Sequence, residues 1–98
     1  MNVEACQLII IMAAVSSESF DTILSGGRRH PLPVCRYLIA RELHNRGYSY
    51  NRISKELGMN HATVMYGIRL LGNMKHGGYA NELRIERLFL QAINRQES

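Results

Sequence analysis

The sequence predicts an all-α fold of five or six helices that forms a single domain over residues 1–98. Apolar residues recur every three or four positions, which is the spacing of helices with one buried face. No stretch alternates apolar and polar residues in the manner of a half-buried strand, and there is no internal repeat. Glycines, serines and asparagines separate the apolar stretches at positions that suit helix ends. With 98 residues, of which 46% are hydrophobic, the chain can bury a core of its own.

The N-terminal segment predicts a mostly buried helix over residues 3–15, because it lacks glycine and proline and is rich in apolar helix formers. Serines follow it, and a short helical turn over residues 20–24 ends at the glycine pair 26–27. The apolar run 8–15 is too short to cross a bilayer, which needs about 20 residues. No basic residue precedes that run, as one would in an export signal. We therefore expect a cytoplasmic protein.

The two cysteines, Cys6 and Cys35, lie within apolar helical patterns and outside any Cys/His cluster. This placement predicts buried, reduced thiols, in keeping with a cytoplasmic protein. A disulfide between them stays open as an alternative, and we expect neither zinc nor any cofactor.

A stiff basic loop over residues 28–33 leads into the next predicted helix, 34–45. The loop contains two prolines, and Pro33 can serve as the first residue of the helix. The helix carries its apolar residues on one side and arginines on the other. Gly47 ends it.

Two short helices follow. Ser49 is suited to cap a helix over residues 50–57, and Gly58 ends that helix. Asn60 is suited to cap the next. The residues that recur on the buried side of this second helix are Val64, Ile68 and Leu71.

The helical pattern is interrupted at residues 76–78, and a final helix is predicted from Ala80 to about Arg95. The apolar face of this helix is broad. It comprises Leu83, Ile85, Leu88, Phe89, Ala92 and Ile93.

Charge is concentrated in the middle of the chain. The net charge is +4, but residues 26–76 contain nine Lys and Arg and only two Glu, a local balance of +7, so the rest carries −3. Ten of the twelve basic residues are arginine, which suits bidentate phosphate and base contacts. All four histidines also lie in that block. This distribution indicates a nucleic-acid-binding face.

Residues 49–69, within a segment of about 49–73, have the spacing of a helix-turn-helix. Ser54 is small where the two helices would cross, and Gly58 provides the turn four residues later. Asn60 then opens a second helix whose first side chains project outward, as in recognition helices that enter the major groove. The apolar residues expected to seal the pair against the core are Ile53, Leu57, Met59 and Val64.

The run GMNHATVMYGIRLL resembles the C-terminal DNA-binding domain (domain IV) of the bacterial replication initiator DnaA. That family has a Trp-repressor-like helix-turn-helix with Asp-His-(Ser/Thr)-Thr-Val at the start of its recognition helix. FDTILSGGRRH is similar to its short helix and basic loop, and LIARELHNRGYSYNRIS to its long helix. The resemblance covers roughly residues 8–93.

The resemblance implies a role for each matching position. His61 and Thr63 would contact base edges and thymine methyl groups in the major groove. Arg28 or Arg29 would enter the adjacent minor groove, and Arg41 would face the phosphates. The helix start formed by Ser49, Tyr50 and Asn51 would approach the DNA backbone.

Two positions depart from the family. Asn60 replaces its aspartate, so the preferred base can change, and Ala62 replaces a hydroxyl residue but keeps a methyl group. Arg69 lies on the outward side of the second helix. Tyr50 and Tyr66 are equally suited to packing at the helix crossing and to touching phosphate. The alternative interpretations are a solvated histidine at the helix start for His61, a packing methyl group for Thr63, and an ordinary exposed loop for Arg28 and Arg29.

We therefore expect a sequence-specific double-stranded DNA-binding protein, and the resemblance implies DnaA-box-like sites in replication initiation control or regulation. It is not expected to be an enzyme, since no phosphate-binding loop, catalytic triad or metal-ligand spacing is present. We expect no membrane and no small-molecule substrate. The alternative is a helical protein-interaction module or transcription regulator that docks on an initiator or sigma-type factor through the apolar face of residues 83–93. Monomer and dimer both stay open.

Overall fold

Six α-helices and one short 3₁₀ helix account for the regular structure of residues 1–97, the part of the chain that this computed structural model describes. No strand occurs in that part, so the predicted all-α fold is confirmed. The α-helices are α1 (Val3–Ser16), α2 (Phe20–Leu24), α3 (Leu32–Asn45), α4 (Tyr50–Leu57), α5 (His61–Leu71) and α6 (Ala80–Glu97), and the 3₁₀ helix is Met74–His76.

Helices α4 and α5 each begin at a side-chain cap. The Ser49 side chain accepts a hydrogen bond from the backbone N–H of Arg52 at the start of α4. The Asn60 side chain accepts one from the N–H of Ala62 at the start of α5. Both predicted caps are confirmed, and each satisfies a backbone donor that a helix start leaves without a partner.

The start of α3 and the presence of the 3₁₀ helix differ from the prediction. Helix α3 begins at Leu32, two residues early, so that Pro33 is its second residue and Pro31 its cap. A proline in the first turn is tolerated because its missing N–H has no helical partner there. Met74, completely buried, belongs to a 3₁₀ helix just before the predicted break.

Helix α3 is the centre of the fold and contacts each of the other five α-helices. Every residue from 34 to 40 is buried. On α6, Ile85, Phe89 and Ile93 are buried in the same core, whereas Leu83, Leu88 and Ala92 of the predicted apolar face are partly exposed.

Arg36 does not lie on an outward arginine face as the sequence pattern predicts. Its guanidinium is buried and donates to the carbonyl oxygens of Ile23 at 3.0 Å and Gly27 at 2.7 Å. These carbonyls close the end of α2, so this arginine joins α2 and the following loop to α3. Two nitrogens of its guanidinium are therefore used within the scaffold.

Helix α1 is less buried than predicted. Val3 and Ile10 are 73% and 58% exposed, whereas Leu8 and Met12 belong to the core. None of the helices in residues 1–97 is long and apolar enough to span a membrane.

Candidate nucleic-acid interface

Helices α4 and α5 are joined by a tight turn at Gly58. The φ of Gly58 is +64°, in the left-handed region that glycine adopts without strain. The N–H of Met59 donates to the carbonyl of Ser54 at 3.0 Å, and the Ser54 hydroxyl donates back to the Met59 carbonyl. Ser54 therefore does more than allow a close crossing, because it also closes the turn. Of the predicted sealing residues, Ile53, Leu57 and Val64 are buried and Met59 is partly buried.

The side chain of Tyr37 on α3 packs against α5. Its ring packs against Gly67 and meets the Tyr66 ring edge-on, with the ring centroids 6.3 Å apart. Sequence reasoning missed both Tyr37 and Gly67, since nothing local in the chain reveals that these two helices approach so closely.

The N-terminal end of α5 faces outward. Asn60, His61, Ala62 and Thr63 are all exposed, and so are Tyr66 and Arg69 further along the helix. Apart from the cap at Asn60, these side chains make no hydrogen bond within residues 1–97, and their polar atoms are available to a partner.

A groove of about 490 Å³ lies between this end of α5 and the basic loop. Arg28 lines it from the loop side, and Tyr37 lies among its lining residues. The residues from the α4–α5 side are Gly58, Met59, Asn60, Thr63 and Tyr66. The loop and the first turns of α5, which are far apart in sequence, therefore share one surface.

The two loop arginines have different environments. Arg29 is held by Glu18 through two hydrogen bonds of 2.8 and 3.2 Å, and this contact holds the pKa of the Glu18 carboxyl below its usual value. The neighbouring His30 ring nitrogen Nδ1 lies 2.7 Å from a carboxylate oxygen of the buried Glu82 on α6. Arg28 is exposed and forms no ion pair within residues 1–97.

Arg41 is also engaged by the scaffold. Its guanidinium donates to Glu86 of α6 at 2.7 Å, and both side chains are about three-quarters covered. The predicted contact of Arg41 with phosphate stays a prediction, and it would require this ion pair to be shared or broken.

The glutamate side chains are all engaged within the domain, including Glu56 of α4. Six of the seven glutamates lie within 4 Å of the chain N-terminus, Arg29, Arg41 or Arg46, and the seventh, Glu82, lies within 4 Å of the His30 ring. Arg46 alone holds three of them, Glu4, Glu42 and Glu97.

A set of cations has no carboxylate partner within residues 1–97 and lies on the loop, α4, α5 or the 3₁₀ helix. All are exposed. The guanidinium of one, Arg52, lies 4.7 Å from the centre of the Tyr48 ring. The set is Arg28, Arg52, Lys55, Arg69 and Lys75. Sequence reasoning did not select Arg52, Lys55 and Lys75 as site residues, although the local charge of +7 pointed to them.

The first residues of α4 and α5 touch each other. The rings of Tyr50 and His61 meet edge-on with centroids 5.9 Å apart, and the ring of His44 stacks on Tyr50 at 4.5 Å. Ser49 and Asn51, which flank Tyr50, are exposed beside this contact. The predicted site residues of α4 and α5 thus form one continuous surface.

The cysteines and other possible ligands do not form a metal site in the described part of the chain. No group of three or more His, Cys, Asp or Glu residues is arranged to hold a metal within residues 1–97. Cys35 is buried as predicted, whereas Cys6 is only partly buried, and both are free thiols.

One comparison with known proteins gives a match. A family model described as the putative ATPase subunit of terminase (gpP-like) matches residues 36–67, about a third of the chain. The matched segment runs from α3 through α4 into α5 and so contains the turn at Gly58. Comparisons with curated proteins and with solved structures find no significant match.

Proposed function

We propose that this chain binds double-stranded DNA in a sequence-specific manner, with α4 and α5 as a helix-turn-helix and α5 as its recognition helix. The observation that carries the proposal is the exposed start of α5, whose side chains make no hydrogen bond within residues 1–97 apart from the Asn60 cap, across a groove from the exposed Arg28. Exposed cations without an ion-pair partner are suited to neutralise phosphates, and a protruding helix start is suited to the major groove.

Base reading is assigned to the first turn of α5. His61 and Thr63 are exposed and present hydrogen-bonding atoms, and the Ala62 methyl group is suited to contact a thymine methyl. The side-chain oxygen of Asn60 already accepts the N–H of Ala62 at 2.8 Å. Its NH₂ group is therefore the atom left for DNA, and we expect Asn60 to donate to an acceptor on a base or phosphate.

Arg28 is the loop arginine that we assign to the minor groove. Both loop arginines are exposed, but Arg29 already forms an ion pair with Glu18, whereas Arg28 borders the groove beside α5. A narrow, A·T-rich minor groove attracts such a guanidinium. We leave Arg41 out of the contacting set because Glu86 holds it.

Two biological settings fit the same DNA-binding surface. The resemblance to DnaA domain IV favours DnaA-box-like sites in replication control. The match to a terminase subunit family over residues 36–67 favours a terminase-related setting. The sequence that the protein selects separates the two, because only the first predicts a DnaA-box-like site.

The protein-docking alternative names a broad apolar face of α6 that is only partly accessible. Ile85, Phe89 and Ile93 of that face are core residues, which a partner could not reach in the folded domain. Leu83, Leu88 and Ala92 are partly exposed, and docking through them stays a prediction.

Selection of bound duplexes from a random pool tests the proposal. We expect enrichment of one motif, bound with an affinity that falls steeply with salt. A palindromic motif would indicate a dimer and a single half-site a monomer. Recovery of no enriched motif, or binding that salt does not weaken, would contradict the proposal.

A further inference from the structure

Three aromatic rings lie in series where α3 ends and α4 and α5 begin. The His44 ring stacks on the Tyr50 ring with an interplanar angle of 15°. The His61 ring meets the same tyrosine at 88°. Tyr50 and His61 are the first residues of their helices, so this contact joins the two helix starts directly.

The far end of this series is fixed to the backbone. Nδ1 of His44 lies 3.0 Å from the carbonyl oxygen of Tyr48. Because a carbonyl oxygen only accepts, Nδ1 carries the proton and donates. The hydrogen bond orients the His44 ring, which covers one face of Tyr50. Tyr50 is half-buried, and its ring lies between two exposed imidazoles, those of His44 and His61.

We infer that Tyr50 is a positioning residue for base reading: its ring, backed by His44, holds the His61 imidazole in one orientation before DNA binds. The inference rests on the proposed function, because it takes His61 as a base-reading side chain. An exposed side chain at a helix start otherwise samples several rotamers, and ordering it on binding opposes association. A held imidazole offers its nitrogens to one base edge and so discriminates more sharply between bases.

Two substitutions of Tyr50 test this role once a preferred duplex is known. Dissociation constants are measured on that duplex and on duplexes changed at one base pair each. We expect Tyr50→Leu to reduce discrimination at the pair read by His61 about 3- to 10-fold. Tyr50→Phe keeps the ring and should keep the discrimination. Tyr79→Leu is the matched control, since Tyr79 is also half-buried but lies outside the ring series. This variant should leave the discrimination between duplexes unchanged.

A double-mutant comparison separates positioning from direct contact. In a His61→Ala background, Tyr50→Leu should have no further effect on discrimination. Equal weakening on all duplexes by Tyr50→Leu would overturn the inference. Loss of discrimination in Tyr50→Phe would also overturn it, because the ring would then not be enough to position His61.

A measurement on the native protein without DNA tests the contact between Tyr50 and His61 even if a variant fails to fold. We expect nuclear Overhauser contacts between the ring protons of Tyr50 and His61, and their absence would overturn the inference. Failure of the proposed function looks different, because the native chain would then show no base preference at all.

Discussion

The ring of Tyr37 occupies the place where residue 67 would carry a side chain. A Cβ atom built on Gly67 would lie 2.1 Å from Cδ1 of Tyr37 and 2.4 Å from its Cγ. Real atoms do not approach so closely, so this contact requires glycine. It sets how near α5 lies to α3, and with it the position of the exposed helix start.

Gly67→Ala should therefore destabilise the domain by about 1–3 kcal/mol, because either the tyrosine ring or α5 must shift. Urea unfolding measures the change. Gly72→Ala is the control: its Cβ would meet only the Arg69 carbonyl at 3.4 Å, and its φ of −66° suits alanine. We expect the control to lie within about 1 kcal/mol of the native chain. Equal stabilities of the two variants would contradict the packing described.

Arg28 and Arg29 are neighbours with the same charge, which makes them a matched pair for DNA binding. Arg28→Ala should weaken binding to the selected duplex roughly tenfold, and should reduce any preference for A·T pairs beside the motif. Arg29→Ala should change the dissociation constant less than about twofold, because Glu18 already engages that guanidinium. Fluorescence anisotropy at one fixed salt concentration measures both. The assignment is wrong if Arg29→Ala costs as much as Arg28→Ala.

The unpaired cations predict the salt dependence of binding. Five such groups contacting phosphates give a slope of log affinity against log salt of about −4 to −5. Lys55→Gln should make this slope shallower by about 0.9 and weaken all sequences alike. Arg87→Gln, on the exposed side of α6, removes the same charge away from the proposed interface and should leave the slope unchanged. A shallower slope in the Arg87 variant would place DNA on a different face.

The two thiols should react at very different rates. Burial raises the pKa of Cys35 to about 11, and the residue has no exposed surface, whereas Cys6 is partly exposed. Since the thiolate is the reactive form, we expect one thiol per chain to react with a disulfide reagent at pH 8. Denaturant should release the second, and Cys6→Ser should leave none reactive in the native chain. Rapid reaction of both thiols in native protein would contradict the burial of Cys35.

Local features of the chain were enough to predict most of the helices. The caps at Ser49 and Asn60 and the turn at Gly58 were predicted because each depends on a side chain or backbone angle of that residue alone. The same is true of the exposed positions 61–63, which follow directly from the cap and the helical repeat.

Features that depend on contacts between distant segments could not be predicted. Arg36 looked like a surface cation, but its burial depends on where the carbonyls at the end of α2 come to lie. The ion pair that holds Arg41 depends on the register of α6. The contact of Tyr50 with His61 likewise needs the crossing of α4 and α5, which no short stretch of sequence reveals.

The central claim is that the first turn of α5 reads DNA sequence, and selection from a random duplex pool with the native chain and with His61→Ala tests it most directly. We expect the variant to lose preference at one or two adjacent positions and to retain the rest of the motif. On the native site it should lose about 1–3 kcal/mol of binding free energy. An identical motif from both proteins, with equal affinity, would contradict the claim.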